Sequence, residues 1–312
     1  MARAGEDIAT APIDLAIERI RVVYRSWNRD TSVAQMRSDW DTAFGSCTVP
    51  VSCQHVSAGS VDGEWITPAH APRDKAILYF HGGGFRIGSV TSHRELIAQI
   101  ADTSGCRVLA INYRLAPEHR FPAALDDALA AYDWMLDQGL IPENIAFAGD
   151  SAGANLALAT MLSLRERGLP LPIAGGLMSP WTDLAAAGAS YVTRADADPI
   201  HQRPMVLALA RNYLGELGDP FNPLASPLYA DLKGLPPLLI QVGDRETVLD
   251  DSTIFANKAR DAGVDVELQV WDGMIHVFQM FGAELAEAHQ AIASIANFLN
   301  RHLHIKAERG PQ

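Results

Sequence analysis

Short apolar runs and helix-patterned segments take turns along most of this chain. Ala76–Phe80, Arg107–Asn112, Ile145–Ala148, Ile173–Met178, Leu238–Val242 and Val266–Trp271 read as strands. Among them, His93–Asp102, Ala123–Asp137, Asn155–Arg167 and Leu249–Ala262 read as helices, and a last helix covers about Glu284–His302. A strand, a helix and a further strand in that order form a crossover that leaves the two strands parallel. Repeated, this unit predicts an α/β fold: a mostly parallel central sheet flanked by helices on both faces.

Three regions stand outside the alternation. The first 45 residues predict two amphipathic helices. Ile13, Ile17, Ile20, Tyr24 and Trp27 share one face, and Val33, Met36, Trp40 and Phe44 repeat the pattern. Asp30, Thr31 and Ser32 lie between them as candidate caps. About Thr48 to Thr67 reads as a strand pair broken at Gly59 and Gly63. An irregular insertion spans roughly Asp183 to Leu232, with a helix near Pro204–Leu217. No repeat, low-complexity tract or linker divides the chain, so residues 1–312 are expected to form one domain, with a cap drawn from two separate segments.

Charge and composition exclude several functions. The formal net charge of -12 repels phosphate backbones and anionic lipid surfaces, so neither nucleic acid nor membrane is an expected partner. The opening stretch has early acids and no continuous apolar run, unlike a secretory leader. No segment approaches the roughly 20 apolar residues of a membrane helix. Cys47, Cys53 and Cys106 include no C-x-x-C pair, which argues against a metal site. Reduced thiols in the cytoplasm are the expectation, with a Cys47–Cys53 bridge as the alternative.

Chemistry enters at Gly149-Asp150-Ser151-Ala152-Gly153. This G-x-S-x-G lies between an apolar strand and a helix, the setting that gives the motif meaning. A nucleophilic serine needs a sharp turn that projects its oxygen, and small neighbours that let strand and helix pass closely. The helix that follows aims its positive end at a developing oxyanion. Upstream, His81-Gly82-Gly83-Gly84-Phe85 follows the strand AILYF. Three consecutive glycines cost conformational entropy. The amides of Gly83 and Gly84, with that of Ala152, suit an oxyanion hole.

A general base should come last, after a late strand, with the acid between it and the serine. Chain order therefore selects His276 from ten histidines. His81 precedes the serine, so its expected role is to hold its loop by bonding to backbone. His55, His70, His93, His119 and His201 precede the acid, and His289, His302 and His304 fall in the last helix or tail. The acid should lie just after the strand PPLLIQV, which favours Asp244 or Glu246 over Asp250 and Asp251. The latter two suit the negative charge preferred at a helix start.

HGGGF, YRLAPEHRFPAALDD, GDSAG and WDGMIHVF together resemble motifs of the hormone-sensitive-lipase-like family of bacterial carboxylesterases, within the α/β-hydrolase superfamily. The resemblance covers roughly Lys75 to Leu303. It implies an α/β-hydrolase fold with a helical cap formed by about residues 1–45 and 183–232. It also implies short- to medium-chain acyl esters as substrates, homodimers through the last strand and helix, and a structural role for YRLAPEH. Counting back from Ala262-Gly263-Val264 places Glu246 on the family's usual catalytic aspartate, ahead of Asp244 and Asp250. Here the chain departs from the common D-P-L-x-D-E-G pattern, although some similar relatives carry E-x-L-L-D-D-S.

The expected activity is that of a serine carboxylic-ester hydrolase acting on a small-molecule ester through Ser151, His276 and Glu246. No metal or organic cofactor is called for. A lactone hydrolase or deacetylase with the same triad is the alternative. A non-catalytic small-molecule receptor on the same scaffold is disfavoured by the presence of His276.

Overall fold

The computed structural model describes residues 11–305. It opens with helices α1 (Pro12–Ser26) and α2 (Val33–Phe44). Pro12 sits in the first turn of α1, where a missing N–H costs nothing. Ser32 caps α2 by accepting from the Gln35 amide at 3.1 Å, as the polar turn led one to expect. Ile17, Ile20, Trp40 and Phe44 are buried against Phe278 and Phe281 from the far end of the chain.

Eight strands form one sheet: β1 (Ser52–Ala58), β2 (Val61–Thr67), β3 (Ala76–Phe80), β4 (Arg107–Asn112), β5 (Ile145–Asp150), β6 (Gly175–Met178), β7 (Leu238–Gly243) and β8 (Val266–Trp271), in the order β1-β2-β4-β3-β5-β6-β7-β8. The pairs β1–β2 and β2–β4 are antiparallel, and every other pair is parallel. Only Gly59 breaks the first hairpin. Gly63, expected as a second break, sits inside β2 opposite Val56 and Ile111, where it marks a close backbone approach.

Seven further α-helices lie among the described residues: α3 (Val90–Ser104), α4 (Ala123–Asp137), α5 (Ala152–Glu166), the single turn α6 (Ser190–Thr193), α7 (Arg203–Leu214), α8 (Leu249–Asp261) and α9 (Ala286–Leu303). The central strands are buried on both faces, and their residues alternate between two layers. Leu78 and Phe80 of β3 join the core under α4 and α5, while Ile77 and Tyr79 join the core under α3 and α9. Fully burying one such side chain contributes about 1.5–3 kcal/mol, so these two layers dominate the stability of the sheet.

Boundaries shift where local hydrogen bonds decide them. Helix α3 starts at Val90, three residues early, because Ser89 and Ser92 form a reciprocal capping box. Helix α5 starts at Ala152 rather than Asn155, directly after the serine. Strand β5 extends to Asp150. Cys47, Cys53 and Cys106 are unpaired. Among the described residues, no helix is long and apolar enough to cross a membrane.

Candidate active site

The loops that leave β3, β5, β7 and β8 all open at the carboxyl ends of those strands, where α/β sheets gather their ligand sites. Ser151 stands alone between β5 and α5. Its φ of 52° and ψ of -118° lie in a region that L residues seldom occupy. Close packing over-determines that conformation. A side chain on Gly153 would come within 2.0 Å of the Phe80 carbonyl oxygen, so only glycine lets α5 pass β3 this closely.

The structure brings the three expected side chains together. His276 Nε2 lies 2.8 Å from Ser151 Oγ, and His276 Nδ1 lies 2.7 Å from Glu246 Oε2. Glu246 is fully buried, and its other oxygen accepts from Ser179 Oγ at 2.7 Å and the Gly243 amide at 2.5 Å. The rival acids are engaged elsewhere. Asp244 accepts the Gly273 amide, Asp250 the Ser190 amide and Asp251 the Asp183 amide.

The loop bearing His276 is anchored by burial. Ile275 and Phe278 pack with Ile17, Ile20, Trp40 and Phe44 of the first two helices. Ser179 adds a direct tie, because its hydroxyl accepts the Val277 amide at 3.1 Å while donating to Glu246. Burial opposes a charge on the His276 ring. The Glu246 carboxylate, by charge and hydrogen bond, outweighs that cost with help from Asp198 and Asp150, so the imidazole pKa is raised above its ordinary value.

Asp150 ties the glycine loop to the nucleophile strand. Its Oδ1 accepts from Tyr79 Oη at 2.7 Å and the Gly82 amide at 3.0 Å, and its Oδ2 lies 3.4 Å from His93 Nε2. His81 bonds backbone, the role expected of it. Its Nδ1 lies 2.8 Å from the Gly82 carbonyl, and its ring stacks on Tyr113 with centroids 4.3 Å apart. Burial and neighbouring His93 push the His81 pKa down to about 3, so this ring stays neutral. Gly83 and Gly84 both have positive φ, and neither amide donates to another described residue. The Ala152 amide is one of the unpaired N–H groups at the start of α5.

The YRLAPEH stretch sits behind this loop. The Ala116 amide donates to the Phe85 carbonyl at 2.8 Å, and Arg37 reaches the carbonyls of both Arg86 and Ala116. Arg37 also pairs with Glu118 at 2.7 Å, but that pair is half-exposed and contributes at most about 1 kcal/mol. The backbone bonds therefore matter more for holding the loop.

Four further residues belong to the site and were not singled out from sequence: Asp150, His93, Ser179 and His201. His201 had been set aside for preceding the acid. Its ring meets His276 edge to face, with centroids 4.4 Å apart. Burial and the adjacent His276 lower its pKa to about 4, so the neighbour of the candidate base stays uncharged. A left-handed φ of 46° at Ser179 directs its hydroxyl inward, and no sequence pattern signals that.

Comparison with known proteins agrees with this architecture. A family model described as the α/β hydrolase fold matches residues 77–280. An esterase structure described as from the bacterial hormone-sensitive lipase family is 43% identical, with a TM-score of 0.89, and the match covers 97% of this chain and all of that one. The chain belongs to the α/β-hydrolase family, in its hormone-sensitive-lipase-like branch. An acetyl-hydrolase of Streptomyces hygroscopicus is 40% identical over 94% of this chain and 97% of its own length. An esterase of Acinetobacter venetianus is 40% identical over 80% of this chain and 82% of its own.

Proposed function

We propose that this chain, a carboxylic-ester hydrolase of its family, cleaves short- to medium-chain acyl esters through an acyl-enzyme on Ser151. The observation that carries the proposal is the continuous line from Glu246 through His276 to Ser151, with both hydrogen bonds at 2.7–2.8 Å. Relatives named esterase and acetyl-hydrolase support the same reaction class.

His276 Nε2 takes the serine proton as Oγ attacks the ester carbonyl. Glu246 fixes the tautomer that leaves Nε2 free and stabilises the imidazolium that forms. The amides of Gly83, Gly84 and Ala152 receive the oxyanion, in a site where preorganised dipoles need no reorientation. His276 then protonates the leaving alcohol. Water repeats the sequence on the acyl-enzyme and releases the acid.

A cavity of about 210 Å³ adjoins Ser151 and His276. Tyr24, Trp27 and Trp40 of the first two helices form part of its wall, and Met205 and Leu209 of α7 form another part. The two segments together are the cap in this reading, and the small apolar volume suits a short or medium acyl chain. The Streptomyces relative's name favours acetyl groups as one such acyl. A lactone would be opened by the same steps. Unpaired Cys47, Cys53 and Cys106 support a cytoplasmic site of action. The unpaired edge of β8 would be the seam of a homodimer.

A chain-length series of nitrophenyl esters tests the proposal. Two- to eight-carbon acyl groups are expected to give an initial burst of nitrophenol and then steady turnover. Absence of turnover on every member would overturn it. The same assay checks the electrostatics. Activity requires neutral His276, and its pKa is raised. The acid limb of kcat/KM should therefore fall with an apparent pKa above the ordinary histidine value of about 6.5. A limb at or below that value would contradict the dominance of Glu246, Asp198 and Asp150 over burial.

A further inference from the structure

Arg86 directly follows the glycine loop and lines the cavity beside Ser151. Its side chain is half-buried, and its Nε is sealed from solvent without a hydrogen-bond partner. Among the described residues no carboxylate lies within 4.0 Å of its guanidinium; other arginines, such as Arg21 and Arg29, also lack one, but Arg86 combines that lack with a place in the cavity wall. The chain carries 37 acidic residues against 25 basic ones, so carboxylates are not scarce. Asp150 also lines the cavity, but Tyr79, Gly82 and His93 already surround its oxygens.

A second unsatisfied donor lies on the same side. Trp40 lines the cavity, is 8% exposed, and its indole N–H has no partner. Helix α2 is tied to the Arg86 backbone. Arg37 donates to the Arg86 carbonyl at 2.9 Å, and Trp40 follows Arg37 by three residues, on the same helical face. Taking a cation partly out of water without a counter-charge is costly, and leaving a buried N–H unpaired adds to the cost. A ligand oxygen anion in the cavity would supply the counter-charge that Arg86 lacks.

We propose that Arg86, with Trp40, recognises a carboxylate on the substrate, so that monoesters of short dicarboxylic acids are the favoured substrate class. This inference rests on the ester-hydrolase reading and names the group that the α2 side of the cavity selects. The bond cleaved is unchanged: the ester C–O bond breaks, water supplies the hydroxyl to the acyl carbon, and the alcohol leaves. The second carboxylate is bound and does not react.

The test uses the full chain and matched ester pairs, followed by pH-stat. Monoethyl succinate, glutarate and adipate are each compared with the neutral ethyl ester in which an isopropyl group replaces the carboxylate. The readout is the ratio of kcat/KM for the anionic to the neutral ester. Arg86→Met is expected to lower that ratio at least about tenfold for the best pair, mostly through KM, as loss of a charge-assisted hydrogen bond implies. Arg86→Lys should restore part of it, and Trp40→Phe should lower it by a smaller factor. Turnover of the neutral ester on each sample reports that the variant has folded. Should Arg86→Met not fold, Arg86→Gln removes the charge alone and carries the same expectation. A ratio within about twofold of the parent in both variants overturns the inference while leaving the ester-hydrolase reading intact. If the parent chain turns over nitrophenyl esters but neither member of any pair, this inference falls alone; if it turns over no ester at all, the ester-hydrolase reading falls as well.

Discussion

Replacing Ser151 by Ala is expected to lower kcat on every ester the chain hydrolyses by about 10⁴-fold or more. The reason is local. Removing Oγ leaves His276 with no hydroxyl to deprotonate, although its link to Glu246 and the glycine loop stay in place. Binding and oxyanion donors alone sustain only a residue of the rate. Stability should barely change, since alanine meets the same positive φ at this turn that serine already tolerates. Steady-state kinetics and thermal unfolding on the same preparation check both parts. A Ser151→Ala enzyme within tenfold of the parent would remove the nucleophile from the account.

The second large effect separates the carboxylates. Glu246→Gln is expected to cost about 10⁴-fold in kcat, the scale found when a triad acid is replaced by its amide. An amide cannot hold the imidazolium, and its NH₂ would face donors already aimed at Glu246, the Ser179 hydroxyl and the Gly243 amide. Asp250→Asn should cost far less, because Asp250 accepts the Ser190 amide in the 183–232 segment and does not touch His276. Measuring kcat for the two variants side by side ranks them. The opposite order would move the acid to Asp250.

How far the sequence could be read follows from which features are local. The strands at Ala76–Phe80, Arg107–Asn112 and Val266–Trp271 were legible to the residue, because apolar runs bounded by polar turns carry their own signal. Ser151 was legible because the strand, the turn and the helix around it are contiguous. His276 was legible because chain order in this fold leaves few histidines to consider. Glu246 was harder, since four acids fall between Asp244 and Asp251; position after the strand favoured Asp244 and Glu246, and alignment to a family pattern put Glu246 first. The geometry then set them apart, with Asp244 and Asp250 bonded to other backbone amides.

What stayed hidden depends on residues distant in the chain. Helix α3 begins at Val90 because two serine side chains bond reciprocally, an outcome that apolar spacing does not report. Ser179 reaches Glu246 across 67 positions, and Asp150 reaches Tyr79 across 71. His201 meets His276 only after the 183–232 segment folds over the strand ends. No sequence pattern marks Arg86, and its want of a carboxylate becomes visible only when its neighbours are placed. Sequence thus located the candidate reacting groups, while folding determined the groups that contact them.

The most direct test of the central claim is the intact mass of the chain after treatment with an active-serine phosphonate. A mass increase equal to one phosphonyl group, localised by peptide mapping to the fragment containing Ser151 and absent from Ser151→Ala, is the expected result. An unmodified parent chain, or a label on a different residue, would contradict the account.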